Sequence, residues 1–218
     1  MNVKSPHFEA IFFDMDGLLV DTEPLALRAT QEVFSTIGIE VSTEWYINER
    51  LRKAKSTSTL LEERGLPQDQ IEAISARRKD RYQELLRTEA KAIDGVEDVL
   101  KNLQGHLITA VVTSSAKDSF EIIMERTGFK KYFSFFITRD DVQNLKPHPE
   151  PYLMALERSQ KTKAECLVLE DSQQGLLAAK AAELTCFAIP GHLTKTHDFS
   201  TADKVLGSIR EVPALVGL

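Results

Sequence analysis

Short apolar runs alternate with amphipathic stretches over most of this chain, and few folds accept that pattern. Residues 8–13 (FEAIFF), 107–112 (LITAVV), 133–137 (FSFFI), 166–169 (CLVL) and 185–189 (TCFAI) each have the length and content of a buried strand. Helical patterns follow the later runs, at 117–127, 150–160 and 172–182, with Gly128, Pro149 and Pro151 punctuating their ends. Strand, helix and strand at this spacing join by right-handed crossovers, giving a parallel sheet covered on both faces. The expected fold class is α/β, with a doubly wound parallel-sheet (Rossmann-like) core.

One interval breaks the alternation. From about residue 23 to 88 the text holds no convincing strand and reads as helix: EPLALRATQEVFSTIG, TEWYINERLRKAK and QDQIEAISARRKDRYQELLRT. Ile71, Ile74, Tyr82, Leu85 and Leu86 give the last of these a partial apolar stripe. The expected organisation is an α/β core of residues 1–19 and 90–218, with a helical insert of residues 20–89 after the first strand. A chain of 218 residues can bury such a core without disulfide staples. Cys166 and Cys186 lie in strand-like apolar text, so they read as buried thiols of a reducing, cytoplasmic protein. The opening MNVKSPHFEA reaches Glu9 before any apolar run long enough for a secretion signal. No uncharged apolar run approaches the roughly 18 residues that a membrane span needs. The net charge of −6 argues against a nucleic-acid or anionic-membrane partner. The text after Gly191 carries no clear signal.

In open parallel sheets, ligands bind beyond the carboxyl ends of the strands. Asp14 and Asp16 follow the first run, with Gly17 to relieve a tight turn. Thr113 and Ser114 follow the second, Lys146 comes after the third and a short loop, and Glu170 and Asp171 follow the fourth. Several carboxylates in one place repel one another unless a cation neutralises them, and all-oxygen donors suit Mg²⁺. A lysine and a hydroxyl facing the same cation suggest a bridging phosphoryl group. On that reading Asp14 is an aspartyl nucleophile, and Asp16 is the acid for the departing oxygen and the base for the incoming one. Thr113 or Ser114 could also cap the next helix, and Ser172 reads as the N-cap of the helix after it.

DMDGLLVDTEP at 14–24, VVTSS at 111–115, KPHPEPY at 146–152 and EDSQQGLLAAKAA at 170–182 together resemble the haloacid-dehalogenase-like phosphotransferase superfamily, in its β-phosphoglucomutase/phosphatase-like branch. The resemblance covers essentially the whole chain. It implies an α-helical cap over the sheet edge. Asp14 would be nucleophile and Mg²⁺ ligand, and Asp16 acid/base and metal ligand through its backbone carbonyl. Thr113, the Ser114 amide and Lys146 would hold the phosphoryl group, and Asp171 with Glu170 would complete the metal site. The expected activity is Mg²⁺-dependent phosphatase action on a small phosphorylated metabolite such as a sugar phosphate. A sugar phosphomutase is the alternative, and a receiver-like signalling domain is a third, disfavoured by the separation of Asp14 from Asp16 and by the helical insert. Haloacid dehalogenation is disfavoured too, because that branch lacks the second Asp. The mutase branch commonly has a histidine where Ala26 stands, and a Gly-x-Ser-Arg segment where this chain reads KAKSTST. Arg50, Arg52, Lys53 and Lys55 crowd the insert with cations. Such a run is usually a solvated face, and any member facing the cleft would select an anionic or polyhydroxyl substrate.

Overall fold

The computed structural model describes residues 7–218; the expectation about the first six residues of the opening segment lies outside them. Six strands form one sheet: β1 Ala10–Phe13, β2 Ile108–Val112, β3 Phe135–Ile137, β4 Cys166–Glu170, β5 Thr185–Ala188 and β6 Lys204–Val205. Their order is β3-β2-β1-β4-β5-β6, and every pairing is parallel. Alternation across the pleat sorts the side chains. Ile11 and Phe13 of β1, with Val111, Leu167, Leu169 and Phe187, pack against Val96, Val99 and Leu100 of the helix Val96–Leu103 and Phe120 and Ile123 of Lys117–Thr127. Ala10, Phe12, Ala110, Val112 and Val168 face the other way, toward Tyr152 and Ala155 of Glu150–Ser159 and Leu176 and Ala179 of Gln173–Ala181. The α/β core is as expected, with helices on both faces.

The insert is helical as expected. Helices Glu23–Ser35 and Gln68–Glu89 pack together, and the shorter Thr43–Trp45, a π-helical Tyr46–Arg52 and Thr59–Glu63 lie between them in sequence. Leu27, Phe34, Tyr46, Leu61, Ile71 and Ile74 form an apolar cluster of the insert's own, whereas Leu25, Ala29, Leu85 and Leu86 join the core. Among the elements that went unread in the sequence are the helix Val96–Leu103, which starts at a left-handed Gly95, the short helices Thr59–Glu63 and Val212–Leu215, and the two-residue edge strand β6. Cys166 and Cys186 are both buried and free. Among the described residues no helix is long and apolar enough to cross a membrane.

Candidate active site

Strand β1 is the centre of the site because the strand order switches beside it: β2 pairs on one side and β4, reached from β3 across the sheet, on the other. The crevice at such a switch point lies at the strands' carboxyl ends. There Asp14 leaves β1, its amide still donating to the Leu169 carbonyl at 3.0 Å. Glu170 ends β4, and Asp171 follows. Asp14, Glu170 and Asp171 each bring a carboxylate oxygen within 4.8 Å of the others, and all three are buried.

A single cation bridges two of the three, Asp14 and Glu170. Lys146 Nζ donates to Asp14 Oδ1 and to Glu170 Oε1, both at 2.6 Å, and to the Val112 carbonyl at 2.8 Å. Its ammonium also lies 4.9 Å from the centroid of the Tyr152 ring. Burial alone would lower the lysine's pKa, but Asp14 and Glu170 hold it above the ordinary value. Burial pushes the Asp14 carboxyl well up, with Lys146 opposing and Glu170 adding to the rise. Burial likewise raises Asp171, helped by Asp14 and Glu170. One ammonium does not balance three buried carboxylates, so the site has room for another cation. The donor set is all carboxylate oxygen, the chemistry that suits Mg²⁺.

Two glycines make the cluster possible. Gly17 has φ +86°, and a Cβ on it would stand 2.4 Å from Asp171 Oδ2, so the turn relief expected at this position is present. A Cβ on Gly175 would stand 1.8 Å from Glu170 Oε1. Glu170 cannot retreat: Lys146 and the Tyr152 hydroxyl engage Oε1, and the Ser172 hydroxyl donates to Oε2 at 3.2 Å. Gly175→Ala therefore costs about 1–3 kcal/mol, the usual range for overpacking a core. Urea unfolding should read this as a lower midpoint with an unchanged m-value.

Asp16 is positioned by hydroxyl groups. Thr22 Oγ1 donates to Oδ1 at 2.7 Å, and Thr113 Oγ1 and Ser115 Oγ donate to Oδ2 at 2.9 and 2.8 Å. Thr113 and Ser114 do not cap the following helix, whose N-cap is Ala116 and whose Lys117 amide goes to Asp140. Thr113 is buried against Asp16, while Ser114 lines the cavity. Ser172 is the N-cap expected, accepting from the Gly175 amide at 3.1 Å.

The carboxylates open into a cavity of about 630 Å³ between the sheet edge and the helical insert. Arg50 is the only one of the four suspected cations of the insert to line it. The other three lie outside the lining. Lys53 pairs with Glu49 at 2.7 Å, Lys55 pairs with Glu63 at 2.8 Å, and Arg52 reaches across to the Thr196 carbonyl at 2.6 Å. The bulged π-helical turn puts Tyr46 and Arg50 inside, and Ala54, with φ 57°, turns the chain back at the cavity wall. Sequence reading missed Glu23, Arg78, Tyr82 and Arg139 in the lining. Glu23 accepts from the Tyr46 hydroxyl at 3.0 Å; desolvation, opposed by Arg50, moves its carboxyl up to about 7.

Residues 11–189 match the haloacid dehalogenase-like hydrolase family. The chain is 30% identical to protein CbbY of Cereibacter sphaeroides over 226 residues, covering 96% of each. It is 32% identical over 183 residues to a phosphorylated carbohydrates phosphatase of Thermotoga maritima, covering 80% of this chain and 81% of that protein. The crystal structure of CbbY from Rhodobacter sphaeroides in complex with phosphate superposes with a TM-score of 0.83 at 29% identity, over 97% of this chain and 100% of that one.

Proposed function

The chain belongs to the haloacid dehalogenase-like hydrolase family, and from that membership we propose that it is a Mg²⁺-dependent phosphatase acting on a small phosphorylated metabolite such as a sugar phosphate. The observation that carries this reading is the buried meeting of Asp14, Lys146 and Asp171 at the floor of a polar cavity roofed by Arg50. Asp14 and Asp171, with the Asp16 backbone carbonyl, would hold Mg²⁺, which when bound offsets negative charge on the phosphoryl oxygens. Glu170, engaged through both oxygens, fixes Lys146 in place from behind the ligands.

Lys146 engages one oxygen of Asp14 and leaves the other to attack phosphorus in line, forming an aspartyl-phosphate. The Ser114 amide, Thr113 and Lys146 hold the transferring group. Asp16 gives its proton to the departing alkoxide and then takes one from the water that releases phosphate. Thr22, Thr113 and Ser115 keep that carboxyl aimed. Residues 20–89 act as a lid on a core of residues 1–19 and 90–218, hinged near 20–23 and 88–94, and exclude water while the site is loaded. Ala26 lines the cavity where the mutase branch commonly carries a histidine, which favours water over a second substrate oxygen as the acceptor. Two free thiols suit the cytoplasm.

Phosphate release across a panel of sugar phosphates and short-chain acid phosphates, with and without Mg²⁺, tests this. Activity with any of them that vanishes on chelation supports the reading; a hexose 1-phosphate converted to its 6-phosphate without phosphate release would replace it with a mutase. Arg50→Ala should raise KM about 10- to 100-fold for the preferred substrate, the loss of one charged hydrogen bond. Lys53→Ala and Lys55→Ala, whose ion pairs point away from the cavity, should leave KM unchanged.

A further inference from the structure

Arg52 lies in the insert, where one guanidinium nitrogen donates to Asn48 Oδ1 at 3.0 Å, and the other reaches across to the core. Its guanidinium donates to the Thr196 carbonyl at 2.6 Å and to the Thr196 hydroxyl at 3.1 Å, across 144 residues of sequence. In return, the Gln174 side chain donates to the Arg52 backbone carbonyl. Thr196 belongs to a tightly knit loop. The His197 amide donates to the Thr194 carbonyl at 2.9 Å, the Thr194 amide donates to the Gly191 carbonyl at 3.2 Å, and the Gly191 amide donates back to Thr194 Oγ1 at 2.9 Å. Thr194 Oγ1 also donates to Asp171 Oδ2 at 3.3 Å. Thr194, His197 and Asp171 are all at least nine-tenths buried. His197 is locked further: the Gln173 amide donates to its Nδ1 at 3.3 Å, and burial, with Arg52 adding to it, holds its pKa down at about 4. A neutral imidazole beside Arg52 does not repel the guanidinium, so the loop and the insert stay in register.

We propose that Arg52 is a positioning residue that ties closure of the helical insert to the carboxylate of Asp171, through the loop of Gly191, Thr194 and Thr196. With Arg52 seated on Thr196, the loop is pressed onto the core and Thr194 fixes the orientation of Asp171. With Arg52 released, the loop loosens and Asp171 is no longer held for a cation. This rests on the reading of Asp171 as a metal ligand.

Sign separates this coupling from plain electrostatics. Arg52→Ala removes a positive charge near a cation site, which by Coulomb's law alone would tighten Mg²⁺ binding. The positioning role demands the reverse. Isothermal titration of Mg²⁺ into the substrate-free protein should show roughly tenfold weaker binding for Arg52→Ala, at the low end of what removing a group behind a metal ligand costs. Arg52→Lys keeps the charge but has a single nitrogen, so it cannot hold Asn48 and Thr196 from two ends of a planar fork, and it should be weakened as well. Thr194→Val should weaken binding to a similar degree, and the Arg52→Ala/Thr194→Val double variant should be no worse than the single ones, because both lie on one path. Hydrogen exchange gives a readout that needs no metal: amides of residues 191–197 should exchange faster in Arg52→Ala than in wild type, while those of β1 and β4 should not. Unchanged or tighter Mg²⁺ binding in Arg52→Ala, additive losses in the double variant, or unaltered exchange in the loop would each overturn the coupling. Failure of the wild-type protein to bind Mg²⁺ or release phosphate would instead remove the functional reading beneath it, while the exchange experiment would still test the tie between Arg52 and the loop.

Discussion

Asp14→Asn takes phosphate release to background with every substrate while leaving the protein folded. The amide keeps the shape of the carboxyl but cannot attack phosphorus, and it withdraws one charge from the cation site. Stability should not suffer. Burial raises the Asp14 carboxyl pKa in the folded state, so its ionised form at neutral pH weighs against folding. In the sign of linkage, a carboxyl with a raised folded pKa contributes stability below its unfolded pKa and loses it as pH climbs through the folded value. A neutral Asn removes that penalty, and Lys146 retains Glu170 and the Val112 carbonyl as partners. Metal-free thermal unfolding should therefore show a Tm equal to or above wild type, beside the lost activity. A drop in Tm of the size expected for a broken core would mean that the activity loss reports unfolding instead.

Asp16→Asn produces the second large effect and is more informative about mechanism. It should slow turnover of alkyl phosphates by roughly 10²–10⁴, the usual share of a positioned acid and base. Mg²⁺ binding should be nearly unchanged, because Asp16 is expected to serve the metal through its backbone carbonyl. Three hydroxyls accept this substitution without much rearrangement, since Thr22, Thr113 and Ser115 can each rotate to meet an amide. An aryl phosphate needs little help for its leaving group, so the first chemical step should be damaged far less with it. Equal damage on alkyl and aryl phosphates, measured as single-turnover product release, would remove Asp16 from the acid role.

Much of this was legible before any coordinates. Asp14, Asp16, Lys146, Glu170 and Asp171 follow strand-like apolar runs, and a parallel sheet must bring such positions to one edge. The apolar runs themselves read long by a residue or two, because Phe8 and Ile189 are buried and Leu107 half-buried although all three lie beyond the strand ends. Strand β6 was invisible for a different reason. Its two residues are exposed, and its place comes from backbone bonds such as Leu206 N to the Ala188 carbonyl at 2.8 Å, which no side-chain pattern records. Thr194 was equally hidden, since it meets Asp171 only because the loop after β5 folds back over the sheet edge. In the insert, charge alone could not tell Arg50 from Lys53. That distinction depends on the π-helical turn, which rotates Arg50 inward, and on Glu49, which holds Lys53 outside. Ser115 was the nearest miss: it sits beside Ser114 in the same motif, and only the geometry shows its hydroxyl on Asp16.

The central claim is that phosphoryl passes through Asp14. Asp16→Asn mixed with an aryl phosphate and Mg²⁺ should load Asp14 quickly and then stall, because the acid is dispensable for loading and the base is missing for release. Acid quench followed by mass spectrometry of the peptides should find one phosphoryl group per chain, on the segment that contains Asp14. No such adduct should form in the Asp14→Asn variant. An unmodified Asp14 while aryl alcohol is released in a burst, or a phosphoryl group on any other residue, would contradict the account.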